Sequence, residues 1–221
     1  EFKYEGIETA DLSKRPFTLT TSNGETVVAD ALVIATGATA RYLGLENESR
    51  LLGHGVSACA TCDGFFFQNV PVAVVGGGDS AMEEATFLTR FASKVYVIHR
   101  RDTLRASKIM QDRALNNEKI EFLWNTEVTD VLGDDKVTGI QVRNRVTGEE
   151  QTVPLAGFFL AIGHTPNTGA FAGTLNMDDD GYLLTANDST KTNIDGVYAA
   201  GDVQDREYRQ AITAAGSGCM A

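Results

Sequence analysis

Cys59-Ala60-Thr61-Cys62-Asp63 holds the residues of this chain best suited to chemistry. A two-residue spacer lets two sulfurs meet in one disulfide, and such a pair favours a thiolate once opened. Asp63, beside the second sulfur, is placed to move a proton as thiolates form and leave. Two other readings compete. A structural zinc site needs four ligands, usually two such pairs; only Cys219, His54, His99 and His164 remain to complete one. An inert surface pair is the other.

A second constellation is Gly76-Gly77-Gly78-Asp79-Ser80-Ala81, which fits G-x-G-x-x-[GA] between an apolar run and a helical pattern. The first glycine allows a tight turn, and the second lets a pyrophosphate approach the backbone. The small Ala81 keeps the helix close to the sheet, and the helix N-terminus faces the phosphate. Twenty-odd residues on stand His99, Arg100 and Arg101, with Arg105 a helical turn further. An NAD site usually carries an acidic residue there; arginines offer forked donors to a 2′-phosphate instead, so the expected cofactor is NADPH. A solvated basic face is the bland alternative. A third constellation, Ala199-Ala200-Gly201-Asp202 followed by Arg209-Gln210-Ala211, puts a carboxylate and a helix start after a buried strand. By itself it reads equally well as a loop and cap.

The elements that would hold these residues alternate as in a dinucleotide domain. Strands are expected at 71–75, 95–98 and 120–124, with helices from Asp79 to Ala92 and from a cap at Asp102 to about Asn116. Residues 127–154 read as a three-stranded antiparallel insertion with turns at Gly133-Asp134-Asp135 and Thr147-Gly148. Ala31–Gly37 and Gly157–Gly163 are two copies of one pattern, a buried strand ending in a glycine turn. The second copy closes a unit opened at Gly76. A first unit of equal length would open roughly fifty residues before Glu1, so the N-terminal unit is expected to be truncated. After Asn167 a short hairpin, a strand at 196–200 and a helix from Arg209 to at least Ala215 are expected.

Composition narrows the function classes. The net charge is −11, from 19 Lys+Arg and 30 Asp+Glu, which argues against nucleic acid as the main partner. No apolar stretch approaches the ~20 residues of a membrane span. Three cysteines are too few for a disulfide framework in 221 residues and favour a reducing, cytoplasmic setting with a working dithiol.

Taken together, Ala35-Thr36-Gly37, Ser57–Gly64, Gly76–Ala81, His99-Arg100-Arg101 and the run from Ala199 to Ala211 resemble the low-molecular-weight thioredoxin reductases over essentially the whole chain. The resemblance implies an α/β protein of two Rossmann-like dinucleotide-binding domains. Residues 1–40 and 166–221 would form the FAD domain and residues 41–165 an inserted NADPH domain. Hinges near 38–42 and 163–168 would let one domain rotate. Electrons would pass from NADPH through FAD and the Cys59–Cys62 disulfide to thioredoxin. Cys62 would face the flavin, Cys59 would attack thioredoxin, and Asp63 would be the acid/base. The resemblance further implies NADPH contacts at Gly76, Gly78, Asp79, Ser80, Ala81, His99, Arg100, Arg101, Arg105, Ile162 and Gly163. It implies FAD contacts at Thr36, Gly37, Gly201, Asp202, Val203, Arg209, Gln210 and Ala211, and a homodimer.

Two features depart from the pattern or leave choices open. His54 stands where many relatives have Arg, at a position expected to touch thioredoxin. Phe65, Phe66 and Phe67 follow the redox pair and would either grip that partner or fill the core. Other functions compatible with the same motifs are a flavin disulfide reductase or oxidase for another protein or small-molecule dithiol, and a redox-inactive nucleotide-binding module.

Overall fold

In Phe17-Thr-Leu-Thr-Thr21 every second side chain is buried, the period that a strand with one covered face imposes. This strand, β2 (Phe17–Thr21), lies between β1 (Ile7–Asp11) and β3 (Thr26–Ala29) in an antiparallel sheet. Gly24, at φ +84°, turns the β2–β3 hairpin. This sheet is not among the expected elements. The computed structural model describes residues 2–221. It divides into one unit formed by residues 40–163 and another formed by the chain on either side, up to Thr39 and from His164.

β4 (Leu32–Ile34) and β5 (Ala38–Ala40) follow. The expected buried strand over Ala31–Gly37 shortens to β4, and Val33 remains 49% exposed because the strand has a single partner and one covered face.

The unit of residues 40–163 opens with α1 (Glu46–Arg50), β6 (Val56–Ser57) and α2 (Ala60–Asp63). Then come β7 (Pro71–Val75), α3 (Asp79–Leu88), β8 (Lys94–His99), α4 (Lys108–Leu115) and β9 (Ile120–Trp124). An antiparallel sheet of β10 (Thr126–Leu132), β11 (Gly139–Asn144) and β12 (Glu150–Pro154) precedes β13 (Gly157–Leu160). The main sheet is parallel in the order β6-β13-β7-β8-β9.

Alternation along these strands builds two cores. Val72, Val74, Val95, Val97 and Phe159 point to Ala81, Met82, Ala85 and Leu88 of α3. Ala73, Ile98, Phe158 and Leu160 point to the antiparallel sheet through Val128, Val131, Ile140 and Val142. A parallel sheet covered on both faces needs such continuous apolar strands. Phe158 and Phe159 are fully buried on opposite faces, and each contributes about 1.5–3 kcal/mol by transfer from water.

Two expected boundaries move. The helix after β8 begins at Lys108 with Ser107 as its cap, so Asp102 caps nothing. The N–H groups of Arg105 and Ala106 both donate to the Gly77 carbonyl, and that tie holds residues 101–106 as a loop. The regular part of α3 also ends at Leu88, short of Ala92.

The other unit resumes with β14 (His164–Pro166), which pairs with β5, and β15 (Val197–Ala199), parallel to β4. The short hairpin expected after Asn167 forms around an antiparallel bridge between Met177 and Leu183, with the Asp178 N–H donating to the Tyr182 carbonyl and the Leu184 N–H to the Asn176 carbonyl. The last helix, α5 (Ala211–Met220), starts two residues late because Arg209 has φ +47°, outside helical range. Leu12, Phe17, Ile34, Phe171, Leu183, Val197 and Val203 fill this core.

Candidate active site

β6 ends at Ser57, and two residues later Cys59 caps α2. Cys59 and Cys62 form a disulfide with Cα atoms 5.3 Å apart. The Cys62 N–H donates to the Cys59 sulfur at 3.2 Å, and the Thr61 hydroxyl lies 3.4 Å from the same atom. Opening the bond would leave two donors on Cys59, which favours its thiolate. Cys62 is the more exposed sulfur-bearing residue.

Ser57 was not singled out by sequence, yet it joins the site together. It is 5% exposed; its hydroxyl donates to Asp63 Oδ2 at 2.6 Å and accepts from the Cys59 N–H at 3.1 Å. The Asp63 carboxylate is thereby fixed to the main chain of Cys59. Among the described residues no cluster of three or more His, Cys, Asp or Glu side chains could hold a metal.

The three phenylalanines separate. Phe65 and Phe66 are 63% and 77% exposed, whereas Phe67 packs edge-on against Phe159 with ring centres 5.2 Å apart. A cavity of about 410 Å³ beside the pair is lined by His54, Ser57, Asp63, Phe66, Phe67 and Lys136, among others. His54 is exposed in the turn before β6.

A second cavity in this unit, about 520 Å³, lies at the carboxyl ends of β7, β8 and β13. Gly76, Gly77, His99, Arg100, Arg101 and Arg105 line it, together with Ile162, Arg41, Glu127 and Arg145. Packing explains two of the glycines. A Cβ on Gly76 would sit 2.5 Å from the Ala161 carbonyl oxygen, and one on Gly77 would sit 2.2 Å from the His99 ring. At Gly78, the cap of α3, a Cβ would meet nothing within 4 Å, so that edge is open for a ligand.

Asp79 is engaged elsewhere. Its Oδ1 accepts from the N–H and hydroxyl of Ser107, which fixes the start of α4 and lowers the Asp79 pKa, chiefly through the N–H bond. His99 is 7% exposed, and its Nε2 donates to the Thr103 carbonyl at 2.9 Å. Burial is the main cause that lowers its pKa below 6.5, aided by Arg101 and Arg105. Gly163, at φ +99°, accepts from the Arg41 N–H at 2.9 Å. An open glycine edge, a helix N-terminus and an arginine-lined cleft form a donor set that fits a phosphorylated dinucleotide.

In the other unit the residues expected near a flavin gather at the carboxyl ends of β4 and β15. Gly37 and Gly201 have φ of +71° and +75°. Thr36 is tied to Asn167 twice, by its hydroxyl to the Asn167 carbonyl at 2.7 Å and by its own carbonyl to the side-chain amide at 2.9 Å. Gly201, Asp202 and Val203 form one short 3-10 turn, with Val203 buried. Asp205, which is not among the expected site residues, organises the loop between that turn and α5. Its carboxylate accepts from the N–H groups of Glu207, Tyr208 and Arg209 and from the Thr213 hydroxyl, all at 2.9–3.1 Å. This sets Arg209 in its left-handed conformation and brings Gln210 to the cap of α5, with Ala211 as the first helical residue. Parallel strand ends with open glycines beside a helix N-terminus suit a second dinucleotide, FAD.

Residues 3–218 match the family model described as pyridine nucleotide-disulphide oxidoreductase. The thioredoxin reductase of Rickettsia felis is 54% identical over 218 residues, covering 97% of this chain and 70% of its own length. That of Streptomyces coelicolor is 54% identical over 215 residues, covering 97% and 67%. Among solved structures, thioredoxin reductase from Giardia duodenalis superposes with a TM-score of 0.92 at 44% identity, covering 100% of this chain and 73% of that one. By its motifs, its parallel sheet and these relatives, the chain belongs to the pyridine nucleotide-disulphide oxidoreductases, and within them to the thioredoxin reductases, flavoenzymes that use FAD and NADPH.

Proposed function

We propose that this chain reduces the disulfide of a thioredoxin, with NADPH held by residues 40–163 and FAD by the other unit. The observation that carries this reading is the Ser57-anchored Asp63 beside a formed Cys59–Cys62 disulfide, in the same unit as the arginine-lined cleft. When bound, the two cofactors supply the electron pair that opens the disulfide. Opening it with two electrons and one proton leaves one thiol and one thiolate. Asp63 is placed to move that proton, and the donors on Cys59 favour the thiolate there.

Cys59 would then attack the thioredoxin disulfide, forming a mixed disulfide and releasing one thioredoxin sulfur, which takes up a proton. Cys62 would attack Cys59 in turn, re-forming the internal bond and releasing thioredoxin as a dithiol. The exposed rings of Phe65 and Phe66, with His54 across the neighbouring cavity, offer that protein an apolar and polar rim. No helix among the described residues is long and apolar enough to cross a membrane.

Cys59→Ser tests the assignment. Bleaching of the flavin by NADPH should persist, because that step does not use the sulfur, while thioredoxin reduction stops. Near-normal thioredoxin turnover in this variant would overturn the dithiol mechanism.

A further inference from the structure

Arg145 lies far from the glycine turn in sequence, in the turn that joins β11 to β12 of the antiparallel sheet, outside the strand–helix unit that the motif marks. The fold nevertheless brings it to the cleft lined by Arg100, Arg101 and Arg105. Its backbone is fixed there: the Arg145 N–H donates to the Asn125 carbonyl at 2.6 Å, and the Asn125 N–H donates to the Arg101 carbonyl at 3.1 Å. Asn144 holds the turn just beyond, accepting from the N–H groups of Val146 and Thr147.

The side chain is positioned as well. Nη1 reaches the Arg100 carbonyl at 3.4 Å, and Nε lies 3.4 Å from Glu127 Oε2. These contacts use two of the five N–H donors of a guanidinium and leave a fork for a ligand. Glu127 is shared: its Oε1 accepts from Arg143 at 2.6 Å. The five arginines lining the cleft, Arg41, Arg100, Arg101, Arg105 and Arg145, therefore face one already shared carboxylate, a balance suited to a dianion.

We infer that Arg145 is a specificity-determining residue for the cofactor, a further guanidinium beside Arg100, Arg101 and Arg105 that grips the 2′-phosphate from the side of the antiparallel sheet. The inference rests on the reading of the cleft as the NADPH site. In this role the antiparallel sheet closes the cleft around the group that separates NADPH from NADH.

Calorimetric titration of the flavin-loaded enzyme with NADP⁺ and with NAD⁺ tests it. Arg145→Gln should weaken NADP⁺ by about tenfold, the loss of one charge-assisted contact, and leave NAD⁺ unchanged. Arg145→Lys should recover part of the loss, since a point charge remains without the fork. Equal weakening of both nucleotides by Arg145→Gln would mean that the residue only supports the hairpin, and would overturn the inference. So would unchanged NADP⁺ binding. Arg101→Gln separates the two levels. If Arg101→Gln loses the NADP⁺ preference and Arg145→Gln keeps it, only the role of Arg145 falls. If neither variant changes the preference, the cleft itself is not the 2′-phosphate site.

Discussion

The cleft at Gly76–Gly78 and the turn at Gly201–Ala211 use the same parts: a parallel strand, glycines and a helix N-terminus. They are held in different ways. In the cleft Gly76 and Gly77 are required by neighbours on the protein side, the Ala161 carbonyl and the His99 ring. At the turn, Gly37 has open space beside it and Gly201 meets only Ala214 Cβ at 3.5 Å, so backbone conformation alone asks for glycine. The turn keeps its shape through one carboxylate, Asp205, that gathers three N–H groups and a hydroxyl. One site is packed into place and the other is tied into place. The two should therefore fail differently.

The largest difference should appear between Gly77→Ala and Gly37→Ala. The new methyl at position 77 must displace a ring that is buried, bonded to Thr103 and edge-on to Trp124. Overpacking of this kind costs about 1–3 kcal/mol. Because the displaced ring lines the cleft, NADP⁺ affinity should fall by about tenfold or more. Gly37→Ala meets no atom and bears only the left-handed penalty, about 1–2 kcal/mol. It should lower the melting temperature slightly and leave NADP⁺ binding alone. Titration and thermal melting of both variants check this, and equal NADP⁺ losses would break the distinction.

Asp205→Ala should act on the tied site only. Removing the acceptor frees the Glu207, Tyr208 and Arg209 N–H groups and lets Arg209 leave φ +47°. Lost bonds to a charged acceptor are worth about 1.5–3 kcal/mol each before solvent takes their place. The partly exposed loop should lose less than their sum. Free-flavin fluorescence should rise on dilution while NADP⁺ affinity stays constant. A variant that retains flavin as the parent does would show that the turn is held by something other than Asp205.

This contrast also explains what the sequence could reveal. Gly76-Gly77-Gly78 and Cys59–Cys62 were legible because backbone geometry and sulfur chemistry dictate residue type at fixed spacing. The β10–β12 sheet was legible from its turns. Ser57 and Arg145 were not, because each acts on a partner reached through the fold: Ser57 on Asp63 across α2, and Arg145 on the main chain of Arg100. The helix expected from Asp102 forms but starts late, at Lys108, because the Gly77 carbonyl claims the N–H groups of Arg105 and Ala106, a contact no local pattern carries. The β1–β3 sheet was there to be read in the alternation of residues 17–21 and the Ser22-Asn23-Gly24 turn.

The smallest effect sharpens the claim that packing governs the cleft. His99 fills the space under Gly77 as a buried ring, and burial lowers its pKa below the ordinary 6.5; Arg101 and Arg105 push the same way, against backbone bonds at Thr103 and Gly76. With the folded pKa below the unfolded one, the unfolded chain takes up this proton first as pH falls. The cost of burying a neutral ring is therefore absent well above pH 6.5. It grows as pH drops below 6.5 and levels off below the folded pKa. One proton contributes a slope of at most about 1.4 kcal/mol per pH unit. Urea unfolding between pH 7.5 and 5 should show stability falling with acid, and His99→Gln should remove part of that slope even if it lowers stability throughout. Identical slopes for the two proteins would mean that His99 is solvated in solution and that the wall of the cleft is looser than its packing indicates.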